Sequence, residues 1–226
     1  MARLRDRPLR PGQPLEFAVH RVPFFLEPDY PEDPAFEETN LERMHRKWGG
    51  KEAFEAQKQR HRLKERGWEV GIEAFDAQRT ASNTVQSHRL VQWAAREHGL
   101  EMSEALYDQL NHAHFVDGRK LNDTAMLVEC AEAAGLPGPD VAAFLASSEG
   151  RQEVLQMFAA VQAQQIHSIP TFIVDGRFVV QGAAHADELE RVLRKVEAAL
   201  AEGDELQGRP VFAAVHEPKL AQQAAV

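Results

Sequence analysis

At 226 residues the chain can bury one sizeable core, and we read one domain. Its 26 Lys plus Arg against 35 Asp plus Glu give a net charge of -9, which argues against a phosphate-driven nucleic-acid binder and favours a soluble acidic protein. No window is apolar enough to span a bilayer, and the single cysteine, Cys130, excludes both an internal disulfide and a zinc site built on several thiolates, so the expected compartment is the reducing cytoplasm.

The first residues carry Arg3, Arg5, Arg7 and Arg10 among prolines 8, 11 and 14, and residues 1–14 read as a solvated, flexible arm. They lack the apolar core of a secretory signal and the amphipathic helix of a transit peptide. Leu15 to Val22 alternates weakly, with Phe17, Val19 and Val22 on its apolar positions, and reads as a strand closed by the segment Pro23 to Pro28. Residues 33 to 66 are charged and broken at Gly49 and Gly50, which predicts two helices. Asn83 and Thr84 offer an N-cap to a helix that stops at Gly99.

The next helix carries Met102, Ala105, Leu106, Leu110 and Ala113 on one face and ends at Gly118. Leu121, Asn122 and Asp123 start another, with Leu127, Ala131 and Ala134 on its buried side and Gly135 at its end. Val141, Phe144 and Leu145 form a short amphipathic helix after Pro139, and Val154, Leu155, Phe158 and Val161 belong to one more that runs to about Gln165. The pattern then becomes β-like: Thr171 to Val174 and Phe178 to Val180 flank Asp175, Gly176 and Arg177, a hairpin signal. Asp187 with Glu190 predicts a capping box, and Leu189, Val192, Leu193, Val196 and Leu200 form the apolar stripe of a closing helix. Residues 206–226 read as a flexible tail.

The order helix, Ser168-Ile169-Pro170-Thr171, strand, turn, strand, helix is that of the closing half of a thioredoxin-like fold. The run His167 to Gly176 resembles the cis-proline segment of the DsbA-like thioredoxin family. Asn83-Thr84 followed by His88-Arg89-Leu90 resembles the signature in the helical insertion of the FrnE-like branch, whose relatives include 2-hydroxychromene-2-carboxylate isomerases. Pro23-Phe24-Phe25-Leu26-Glu27-Pro28 and Asp123 to Leu136 resemble further segments of that branch. The resemblance implies an α/β chain with a thioredoxin-like fold and a large helical insertion. It spans one domain over 15–205, with a thioredoxin part at 15–30 and 166–202 and a mainly helical insertion at 33–165.

Family members carry an apolar strand and a Cys-x-x-Cys motif at a helix N-terminus ahead of the strand placed here at Leu15, and this sequence has neither. We therefore expect an N-terminally truncated fold without its first strand and active-site helix. Another chain filling the gap, a poorly stable fold and an incomplete version of a longer protein stay open as explanations. Without two thiols the disulfide exchange of the family cannot run within this chain, so a redox-inactive family member is expected. A glutathione-dependent isomerase or transferase, with glutathione as a possible cofactor, and a non-catalytic peptide-binding protein are the alternatives.

By resemblance, the substrate-binding residues are Ser168, Ile169, Pro170 and His88. The backbone at Ile169 would hold an extended peptide or protein thiol substrate as an added strand. No catalytic residue and no metal are expected, nor a nucleic-acid or membrane partner; a homo-oligomer could cover the exposed sheet. His88 could equally be a hydrogen-bonded structural histidine, and helix capping would also account for His167 and Ser168. Cys130, mid-helix and without a neighbouring base, reads as a packed apolar residue. His112 and His114 do not share a helix face and read as surface residues, whereas Trp48, Trp68 and Trp93 read as core or cleft packing.

Overall fold

Helices joined by short capped turns make up most of the computed structural model, which describes residues 2–13, 15–72, 74, 76, 78–203 and 205. In chain order the elements are α1 (Ala2–Asp6), β1 (Glu38–Thr39), α2 (Asn40–Trp48), α3 (Lys51–His61), α4 (Leu63–Glu69), β2 (Thr80–Ala81), α5 (Val85–His98) and α6 (Leu100–Phe115). They continue with α7 (Thr124–Ala133), α8 (Gly138–Ala146), α9 (Arg151–Ala163), β3 (Thr171–Val174), β4 (Phe178–Gln181) and α10 (Ala186–Ala201). The predicted tail, 206–226, lies outside the described residues.

Local chemistry explains most boundaries. Thr39 Oγ1 accepts from the Glu42 N–H at 3.2 Å while Glu42 Oε2 accepts from the Thr39 N–H at 2.8 Å, a capping box that starts α2. Gly49, with φ 78°, ends that helix in the left-handed conformation that glycine adopts without steric strain. Asn83 Oδ1 accepts from the Val85 N–H at 2.8 Å at the head of α5, and Asp123 Oδ1 accepts from the N–H groups of Ala125 and Met126 at the head of α7. The capping box expected at Asp187 does not form. α10 begins two residues earlier, with His185 at its N-cap, so Asp187 sits inside the first turn, where the helix dipole favours a carboxylate.

The chain divides into two compact units, one of Phe25–Val154 and one of Met1–Phe24 with Leu155–Val226. In the first, α5 to α8 enclose a core of Leu90, Val91, Trp93, Leu106, Leu127 and Val141 with their neighbours. The buried line of α6 runs through Ser103, Leu106, Leu110 and Ala113, and Ala105, expected on that line, is exposed. Ser103 is accommodated because its hydroxyl donates to the Val91 carbonyl at 3.0 Å, which satisfies the buried oxygen. Of the tryptophans, Trp93 is buried and stacks on Phe144 with ring centroids 5.3 Å apart. Trp48 and Trp68, expected to pack, are 42% and 63% exposed; they sit at the ends of the charged helices α2 and α4, outside the apolar core.

In the second unit, Met157, Val161 and Ile166 form a buried cluster against which Val22, Phe24 and Ile173 pack, and Phe24 meets Phe158 edge to face. Within the segment read as a flexible arm, Leu4 of α1 is buried, and the Leu9 N–H donates to Glu197 Oε1 at 2.8 Å. The strand expected at Leu15 to Val22 does not form. Leu15, Phe17 and Val19 are half-buried while Glu16 and Ala18 are exposed, so the alternation is present. What is missing is a ladder partner: among the described residues the two sheets contain only β1 with β2 and β3 with β4. The two-residue strands β1 and β2 were not foreseen, since Glu38 and Thr39 pair with Ala81 and Thr80 over some forty residues. Among the described residues, no helix is long and apolar enough to cross a membrane.

Candidate functional site

The hairpin of β3 and β4 builds the candidate site. Asp175 and Gly176 both hold positive φ, 53° and 62°, and the Arg177 N–H donates to the Val174 carbonyl at 3.2 Å. Positive φ at both central positions is the pattern of a type I′ turn, whose twist matches that of the flanking strands. Thr171 pairs with Gln181, Phe172 with Val180, Ile173 with Val179 and Val174 with Phe178. The Gly182 N–H donates to the Pro170 carbonyl at 2.8 Å. Hydrogen-bonded positions alternate along an antiparallel ladder. Pro170, Phe172 and Val174 therefore turn their backbone groups towards β4, while those of Thr171 and Ile173 face the opposite edge, which among the described residues has no partner strand.

The side chains around this edge are apolar. The hairpin has apolar residues on both faces, the composition of a strand pair covered on both sides. Yet Phe172 is 39% and Val179 is 57% exposed, one on each face. Ahead of β3, Ile166 is buried and His167, Ser168, Ile169 and Pro170 are exposed, with Ile169 at 49%. The Ile169–Pro170 peptide bond is cis. Thr171 Oγ1 donates to the Ser168 carbonyl at 2.8 Å and fixes the loop where it enters the strand. Ser168, Ile169 and Pro170 thus form one exposed loop that leads into an open edge. Capping does not account for His167 and Ser168, because α9 ends at Ala163 and the chain turns at Gln165, with φ 59°.

His88 belongs to the other unit. It lies half-buried on α5, its ring edge-on to Phe25 with centroids 5.2 Å apart. Its neighbour Arg89 is the deeply buried member of that motif, and it donates to main-chain oxygens at the end of α8 and beyond. Cys130 is 6% exposed, its thiol 3.4 Å from Met126 Sδ, and burial raises its pKa. A thiol held protonated in an apolar core is a poor nucleophile. His114, expected at the surface, is buried between Arg79 and the carbonyl of Arg119, whereas His112 is exposed beside Asp117. Apart from Ile169, the sequence reading did not mark the edge itself, Thr171 and Ile173 with Phe172 and Val179. The signal for it was the continuous apolar run on both strands, too rich for a hairpin with one wet face.

Known proteins resemble the chain over most of its length. The DSBA-like thioredoxin domain matches residues 16–194. The crystal structure of a probable DsbA oxidoreductase from Streptomyces coelicolor is similar at a TM-score of 0.66 and 27% identity, over 80% of this chain and 74% of that one. No curated protein matches. The mostly helical architecture with few short strands accords with a thioredoxin fold carrying a helical insertion, although one cysteine leaves no Cys-x-x-Cys pair. With about four-fifths of its length matched, the chain belongs to the DSBA-like thioredoxin domain family.

Proposed function

We propose that this chain is a redox-inactive DsbA-like protein that holds an extended apolar peptide segment against the loop Ser168 to Pro170 and the free edge of β3. The observation that carries this reading is the open edge itself: ladder positions at Thr171 and Ile173 with no partner strand among the described residues, flanked by exposed Ile169, Phe172 and Val179. An added strand would gain main-chain hydrogen bonds there and bury those side chains. The chain's single thiol, on Cys130, is buried, and burial keeps it protonated, so it is a poor starting point for disulfide exchange. A strand set beside β3 by another copy of the chain would use the same backbone groups, so a homo-oligomer competes with peptide at this edge. Such binding needs no oxidant, which suits a cytoplasmic protein.

Two assays test the reading. In an insulin-reduction assay with glutathione, the wild type and Cys130→Ser are both expected to show no turnover above a thiol-blocked control. Fluorescence anisotropy with a labelled, extended, Val-rich peptide is expected to give saturable binding. Glutathione-dependent turnover that survives Cys130→Ser would replace this reading with the isomerase or transferase class, and a flat anisotropy titration would remove peptide binding.

A further inference from the structure

We propose that His114 and Arg79 form an acid-released latch that holds the segment running into β2. His114 lies near the end of α6 and is 9% exposed. Its Nδ1 is 2.8 Å from the Arg119 carbonyl oxygen, and its Nε2 is 3.2 Å from Arg79 Nε. A carbonyl oxygen only accepts and a guanidinium only donates. Both bonds can form only if the imidazole is neutral with its proton on Nδ1, so the partners select a single tautomer.

Arg79 is the other half of the latch. Its Nη1 donates to the Asp76 carbonyl at 3.0 Å, and the guanidinium lies over the Phe115 ring, 4.9 Å from its centroid. The backbone it holds is tied on several sides: the Asp76 N–H donates to the Phe115 carbonyl at 2.6 Å, the Thr80 N–H to Gly118 at 3.4 Å and the Asn40 N–H to Arg79 at 2.9 Å. Gly118, with φ 74°, lets Asp76 approach where a Cβ would collide with its carboxylate. The latch thereby locks β2 against β1 and the start of α2.

Protonation of Nε2 would point N–H at N–H and set two cations face to face. Arg43 on α2 adds positive charge, Asp76 opposes it, and the Arg119 guanidinium is engaged with Glu129 at 2.5 Å. Burial lowers the His114 pKa, and Arg79 and Arg43 lower it further against the raising effect of the Arg119 carbonyl. With its folded pKa held below the ordinary histidine value of about 6.5, His114 takes up its proton more readily in the open state. The latch is fully stable above about 6.5, the histidine reference, and is lost as the pH falls through the window below. There, one proton raises the opening constant by up to about tenfold per pH unit.

Amide hydrogen exchange on the full chain, corrected for intrinsic rates, tests the latch between pH 7.5 and pH 5. Asn40, Asp76 and Thr80 are expected to lose protection relative to Met126 and Leu127 in the core, by up to about thirtyfold, the ceiling that one-proton linkage sets between pH 6.5 and pH 5. In His114→Gln, whose amide can accept from Arg79 and donate to Arg119 without titrating, that relative loss should vanish. Nitrogen-15 spectra of the wild type at neutral pH should show the Nδ1-protonated tautomer, a readout that stands even if the variant fails to fold. An Nε2-protonated ring, unchanged protection down to pH 5, or the same loss in His114→Gln would each overturn the proposal.

Discussion

Arg89 is 1% exposed, and most of its hydrogen bonds end on main-chain oxygens far away in sequence. Nε donates to Glu149 at 2.7 Å, and Nη2 to Ser147 at 2.9 Å and Phe144 at 3.3 Å; Nη1 donates to Gln86, and the plane packs over the Phe144 ring. The carbonyls of Ser147 and Glu149 lie past the C-terminus of α8, where a helix leaves its oxygens without intrahelical donors, and that of Phe144 also accepts from Ser147. Arg89→Met keeps much of the volume and strips those oxygens of their donor. We expect it to cost about 3–5 kcal/mol, read as a lower urea midpoint with unchanged slope. Arg89→Lys should fall between, because one ammonium cannot serve the same set of oxygens. From sequence the motif drew attention to His88, since arginine is ordinarily a surface residue. Nothing in the spacing could show that this one caps a helix more than fifty residues away. His114 escaped notice for the same reason, its partners lying in loops that sequence does not bring together. Cys130 was legible, because a lone cysteine between Leu127 and Ala131 on an apolar helix face has few other uses.

Elements were legible in proportion to how local their causes are. Helices α5 and α7 follow from Asn83, Gly99, Asp123 and Gly135, all within or beside the helix they bound. The β3 and β4 hairpin follows from Asp175 and Gly176. A strand needs a partner as well as alternation, and the segment Leu15 to Val22 alternates without a ladder. The edge of β3 away from β4 has no partner strand among the described residues, yet its sequence reads as an interior strand, which makes the exposure of Phe172 informative. In Phe172→Lys the side chain is already part-exposed, so stability should change by no more than about 0.5 kcal/mol. Lysine on an edge strand also disfavours pairing with another chain. Peptide binding should weaken about tenfold, roughly 1.4 kcal/mol, if the ring is covered by the bound segment. Equal affinities for the two proteins in the anisotropy titration would place the peptide elsewhere.

Across the whole molecule, net charge alone suggested an acidic surface, but the structure concentrates its cations around particular carboxylates. Glu27 accepts from Arg43 Nε at 2.7 Å and meets Lys47 Nζ at 2.8 Å, and Arg46 bridges to Glu38 at 2.9 Å, with the Tyr30 hydroxyl also donating to Glu38. Such pairings join residues eight to twenty apart, so the charged stretch was readable as two helices but its network was not. Burial would raise the Glu27 pKa, but hydrogen bonds from Lys47 and Arg43 outweigh it and the net shift is downward; Glu38 is lowered chiefly by Arg46. A carboxylate with a depressed folded pKa contributes stability that is complete above its unfolded value of 4.5 and is lost as the pH falls through the folded one. Two acid transitions should therefore appear, a local one below about 6.5 from His114 and a global one below about 4.5 from this network. Glu27→Gln removes the charge while nearly preserving shape. We expect it to lower stability at pH 7 by about 1 kcal/mol, the partial exposure of Lys47 and Arg46 holding the figure down. Its stability curve should converge on the wild type as the pH approaches 2, because the wild-type carboxylate is by then protonated as well. Urea unfolding of both proteins across that range decides the point: parallel curves would assign the loss to packing, and convergence to the charge.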